Sequence, residues 1–148
     1  MTQLSDTRTR TSTPRAFALA VITAVVLATV VNTIVAAIAH GAGASHKFPP
    51  LQFAAYTSLG LLGILFAAIA WTVIRSKSSA PAQLLSKLVP AVIVVSFIPD
   101  ILVGVNKSEA HTSWGAVIAL MIMHLCVAAI AVASFTKFLP VSDRNVRA

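Results

Sequence analysis

Residues 16–39 read AFALAVITAVVLATVVNTIVAAIA, 24 positions whose only polar side chains are threonines and Asn32. A helix rising 1.5 Å per residue needs roughly 20 apolar residues to cross the hydrocarbon of a bilayer, so this run is long enough. Its apolar side chains follow one another without alternation, which excludes a barrel strand. Lipid offers no water to the peptide groups, and the segment must satisfy them internally as a helix. A cleavable secretory signal competes with this reading, because arginines precede the run and Ala42, Gly43 and Ala44 follow it. Signal cores are only about 7 to 15 residues long, so a retained first helix is expected. Were the segment removed, three spans would remain and the new terminus would lie outside.

Working outward, three more apolar runs extend over about 51–74, 84–105 and 114–139, separated by SKSSAPAQ and NKSEAHTS and closed by Pro140. Pro49 and Pro50 stand just before the second run, where proline can start a helix but not sit inside one. Hydrophobic residues make up 57% of the 148 positions and charged residues 10%, too few charges to clothe a water-facing surface. The expected fold is all-α: a polytopic transmembrane four-helix bundle with antiparallel up-down connectivity, forming one domain over 16–139. Residues 1–15, rich in Thr, Ser and Arg, read as a disordered cytoplasmic tail, and 140–148 as a second cytoplasmic tail.

The net charge of +7 alone would fit a nucleic-acid binder. The basic residues instead cap the ends of apolar runs and form no patch, so they are read as topology and nucleic acid is not an expected partner. Nine of them (Arg8, Arg10, Arg15, Arg75, Lys77, Lys87, Lys137, Arg144 and Arg147) fall on one side, against Lys47 and Lys107 on the other. The positive-inside rule then gives a multi-pass cell-membrane protein with both termini cytoplasmic. Phe17, Trp71 and Phe138 fall near the inner interface and Phe53, Tyr56 and Trp114 near the outer one, as aromatic belts require.

Ionisable side chains inside such helices are costly and mark functional candidates. Asp100 lies in SFIPDILVG and His124 in MIMHLCVAA. Helical rise puts both, with Asn32, in the outer half of the membrane. Asn32, Ala36 and His40 share one face at spacing four, as do Ser96 and Asp100, and Tyr56 lies on the outer part of the second helix. The expected ligand-binding set is Asn32, His40, Tyr56, Ser96, Asp100 and His124, opening outward, with Asp100 and His124 as catalytic acid and base if the protein is an enzyme. Plainer readings stand beside each: Asn32 as an interhelical hydrogen-bonding residue, His40 and Tyr56 as interfacial residues, Asp100 and His124 as a packing pair. His111, near Glu109 and Lys107, reads as solvated. No HxxxH or HExxH spacing supports a metal, and no cofactor is expected. Cys126, alone in an apolar run, reads as a small hydrophobe. Pro99 should bend the third helix and free the Val95 carbonyl, while Pro90 reads as a near-terminus residue. Gly60, Gly63, Ala67 and Ala70 form a small-residue stripe suited to close packing.

The threonine-containing first helix leading to Asn32, the PPLQFAAYTSLG segment from Pro49 to Gly60, LVPAVIVVSFIPD ending at Asp100, and MHLCVAAIAV around His124 resemble an actinobacterial family of small four-helix membrane proteins, the domain of unknown function numbered 6069. The resemblance covers Arg15 to Pro140 and implies the four-helix topology and the importance of Asp100 and His124, but no reaction. The leading expectation is an outward-facing polar pocket for a small or lipid-like molecule. Alternatives are an acid/base isomerase, cyclase or hydrolase acting on an apolar substrate, a proton-coupled homo-oligomeric transporter or channel, and a structural or assembly protein. Membrane lipids are partners in all of them.

Overall fold

The computed structural model describes residues 14–141, and over that range it contains helices and no strands. Helices α1 (Pro14–Gly41), α2 (Phe53–Lys77), α3 (Pro81–Asn106) and α4 (Trp114–Phe138) are each long and apolar enough to cross a membrane, and a 3-10 turn, Pro49–Leu51, precedes α2. The protein is therefore a multi-pass, all-α four-helix bundle. The α1–α2 and α3–α4 connections lie at one end, here the loop end. The α2–α3 connection and both described termini lie at the other.

Prolines set the helix starts. Pro14, Pro81 and the Pro49–Pro50 pair all stand at first-turn positions, where the missing N–H has no intrahelical acceptor to lose. The expected tail over 1–15 thus ends earlier, since Pro14 and Arg15 are helical; its other residues, and 142–148 of the second tail, lie outside the described residues. Because Pro81 opens α3, Pro90 is an interior proline like Pro99 and not a near-terminus residue. The two prolines deprive the carbonyls of Ser86 and Val95 of their helical donors.

Helix α1 packs most extensively along α4. Its buried face is Ala20, Ala24, Ala28, Asn32 and Ala36, a residue every fourth position with almost no side-chain bulk, which lets two backbones approach closely. The expected stripe on α2 does not serve this purpose inside the bundle: Gly63, Ala67 and Ala70 are exposed, and a Cβ built at Gly60 or Gly63 meets nothing within 4 Å. At the terminal end, Trp71 is a buried core residue and not a lipid-facing belt residue. Its Nε1 donates to the Leu139 carbonyl at 2.9 Å and its ring packs on Phe135, tying α2 to the end of α4. At the loop end Phe48 and Leu51 are buried beneath the α1–α2 connection among Ala39, Ala116 and Leu120.

Helix α3 is the least buried of the four. Its buried residues are Pro81 and Leu85 near one end and Asp100 and Gly104 near the other, and its chief neighbour is α4. Gly104 permits that contact: a Cβ there would lie 3.0 Å from the Trp114 ring and 3.1 Å from Val117 Cγ2.

Candidate functional site

The α1–α2 connection is built by a glycine. Ala44 N–H donates to the Ala39 carbonyl and Gly43 N–H to the His40 carbonyl, both near 2.9–3.0 Å, with Gly43 at φ 100°. This pair of bonds is a Schellman ending, and its left-handed residue favours glycine. The turn folds the chain back so that His40 Nδ1 lies 3.1 Å from the Ala44 carbonyl, and the His40 and His46 rings stack with centroids 4.1 Å apart. A carbonyl only accepts, so Nδ1 carries the proton, and in the neutral ring Nε2 is an acceptor.

From Gln52 onward the chain enters α2, and its first turn carries Tyr56 inward, where it is buried against α1. The Thr33 hydroxyl donates to the Thr29 carbonyl at 2.8 Å and lies 3.0 Å from the Tyr56 oxygen. Thr33 has one proton and has already given it, so Tyr56 is the donor to Thr33 and retains acceptor capacity of its own. An open groove of about 810 Å³ runs along this junction, lined by Thr33, His40, His46, Gln52 and Tyr56 and by apolar residues such as Leu51 and Phe53.

Tyr56 also borders a second, deeper space between α1 and α2, a crevice too narrow for a water molecule, where Asn32, Thr57, Gly60 and Ile64 meet. Asn32 is 4% exposed, and neither its Oδ1 nor the Thr57 hydroxyl has a hydrogen-bond partner. Such atoms are uncommon and carry a desolvation cost that a partner would remove.

Asp100 and His124 come together elsewhere, between α3 and α4. His124 Nδ1 lies 2.9 Å from Asp100 Oδ2 and 2.9 Å from the Leu120 carbonyl one turn back on its own helix. The ring N–H is aligned with the carbonyl, so the buried Oδ2 has a close imidazole but no aligned donor. Ser96, on the same face of α3, gives its proton to the Ile93 carbonyl at 2.7 Å. None of these three lines the groove or the crevice.

The six residues singled out from sequence thus divide. Asn32, His40 and Tyr56 belong to one α1–α2 junction, joined through Tyr56, while Ser96, Asp100 and His124 belong to α3–α4. Sequence reasoning missed His46, Thr33, Gln52 and Thr57. For His46 a signal exists in HGAGASH, two histidines bracketing a glycine turn; for Thr57 none does, because its role depends on the crevice. Tyr56 is a buried residue with its hydroxyl on Thr33. Among the described residues no three His, Cys, Asp or Glu side chains gather as metal ligands, Cys126 is a half-buried free thiol, and His111 is exposed with φ 61°.

The family described as "Family of unknown function (DUF6069)" matches residues 12–140. No curated protein and no solved structure matches the chain.

Proposed function

Because the chain belongs to this family of unknown function, whose membership carries no reaction, we propose a function from geometry: the protein binds a small amphiphilic or lipid-like molecule in the α1–α2 groove. The observation that carries this reading is the adjacency of an open groove and an unsatisfied polar crevice, both bordered by Tyr56. The apolar wall suits a chain or ring system, and His40, Gln52 and Tyr56 suit a polar head. With the basic residues cytoplasmic, as the positive-inside rule has it, the groove opens on the outer side.

In this reading the Asp100–His124 contact holds the sparsely buried α3 against α4. The placement of the pair away from both spaces favours that role over acid/base chemistry on a bound substrate.

Photolabelling tests the groove. A radiolabelled alkyl diazirine added to the protein in phosphatidylcholine vesicles is expected to label residues 33–41 and 51–56 preferentially, and Ala37→Trp, which narrows the groove, is expected to reduce that labelling several-fold. Labelling spread evenly over these segments and the equally apolar outer face of α3 would count against a site.

A further inference from the structure

We infer that the ligand of this groove presents an uncharged hydrogen-bond donor, a hydroxyl on a long apolar body, and that Tyr56 passes this hydroxyl to Asn32 and Thr57 in the crevice below. The inference rests on the groove reading and adds the chemical class of the ligand and the place of its head. Three independent geometries agree on an incoming donor. His40 Nδ1–H is committed to the Ala44 carbonyl, so the neutral ring has Nε2 as its acceptor. The Tyr56 proton is committed to Thr33, because the Thr33 proton is committed to Thr29. Asn32 Oδ1, on a side chain 96% withdrawn from solvent by its 4% exposure, accepts from nothing.

Charge narrows the class further. The crevice is lined by Thr29, Asn32, Tyr56, Thr57 and apolar residues, with no carboxylate, lysine or arginine. An ionised head placed there would lose its hydration without a counter-charge to replace it. A hydroxyl loses far less and matches both free groups: it donates to Asn32 Oδ1 and accepts from the Thr57 hydroxyl, leaving neither unsatisfied. A ketone, ester or ether could accept from the Thr57 hydroxyl but would leave Asn32 Oδ1 without a donor.

The crevice is closed to water as it stands, and Ala28 on α1 and Gly60 on α2 put little bulk on its two walls. Small side chains at this point allow α1 and α2 to part slightly around a hydroxyl without leaving a large void when it departs. Tyr56 stands at the junction of the two spaces, and breaking its bond to Thr33 is the movement that connects them.

Competition against the alkyl diazirine label distinguishes this inference from the groove reading. In phosphatidylcholine vesicles, hexadecanol is expected to displace the label from the groove at about a tenfold lower concentration than hexadecyl methyl ether, the ratio that corresponds to about one hydrogen bond. In Asn32→Leu with Thr57→Val the preference is expected to fall to nearly one while the groove is still labelled. Ala28→Leu, which adds bulk at a buried residue lining the crevice and keeps both polar groups, gives a second route to the same loss should the first variant fold poorly. Equal competition by alcohol and ether in the native protein, or a preference that survives both variants, overturns the hydroxyl assignment and leaves the groove standing. No preferential labelling in the native protein overturns the groove reading and this one with it.

Discussion

At the α3–α4 junction a buried carboxylate oxygen lacks an aligned donor but has an imidazole 2.9 Å away, whereas at the α1–α2 junction a buried amide oxygen and a hydroxyl have no partner group at all. The first junction is closed by its own residues: Gly104 draws α3 onto the Trp114 and Val117 side chains, and Asp100 meets His124 one turn earlier. The second is loosely filled, with open space beside Gly60 and an open groove above Tyr56. Polar groups in an apolar medium tend to be satisfied by the protein or to await something else. The ionisable pair, the most conspicuous feature of the sequence, therefore sits apart from the groove proposed to take a ligand.

The pair gives the largest expected effect. His124→Leu leaves Asp100, only 9% exposed in its side chain, without its imidazole. Removing one partner of a buried pair costs about 3–5 kcal/mol, and the 42% exposure of the His124 side chain puts the expectation at the lower end. Asp100→Leu is milder, because His124 retains its bond to the Leu120 carbonyl. The double variant should recover most of the loss. Thermal unfolding in detergent of the four proteins forms a double-mutant cycle; additive losses would mean that the two residues do not act as a pair.

Next comes Gly104→Val. Its Cβ would lie 3.0 Å from the Trp114 ring and 3.1 Å from the fully buried Val117, so α3 must move outward, at about 2 kcal/mol typical of overpacking. The loss is read as a lower melting temperature with Asp100 and His124 intact. An unchanged melting temperature would show that Gly104 does not set the distance between the helices.

Much of this architecture is legible in the sequence, because a long apolar run has a single solution in lipid. Four runs without alternation force four helices, and short connections force neighbours to be antiparallel. Pairing is harder to read. The fourfold spacing that groups Asn32 with His40 does hold, as both belong to the α1–α2 junction, but equal depth in the membrane says nothing about which helix faces which. Asp100 and Asn32 look alike by depth and differ by rotation about their axes. The small-residue argument goes astray for the same reason: alanines on α1 and glycines on α2 are equally able to pack closely, and only the assembled bundle shows that the alanine face is buried among α2 and α4 while Gly63 is exposed. Thr57 and Thr33 are ordinary helix threonines until the partner helix shows which hydroxyl is free.

At the looser junction the expected sign reverses for the unsatisfied amide. Asn32→Leu replaces a buried amide whose Oδ1 has no partner with an apolar side chain of similar size, and should stabilise the ligand-free protein by about 1–2 kcal/mol. Thermal unfolding after exhaustive delipidation checks it; a loss of stability would show that the amide has a partner after all. Tyr56→Phe removes the donor to Thr33 and should cost about 1 kcal/mol. Thr33→Val should cost more, since it strands the Tyr56 hydroxyl and also removes the bond to Thr29. A reversed order in thermal unfolding would mean that Thr33 donates to Tyr56.

Gly60→Ala carries the smallest expected effect and separates packing from binding. A Cβ at Gly60 meets no atom within 4 Å, and alanine loses less backbone entropy than glycine on entering a helix, so the variant should be more stable by about 0.5–1 kcal/mol. That methyl group enters open space and not the narrow crevice, so hexadecanol and ether competition should both stay as they are. Stability rising at constant alcohol preference is what a loosely packed glycine beside the site produces. A fall in alcohol preference would mean that the methyl group takes space the hydroxyl uses.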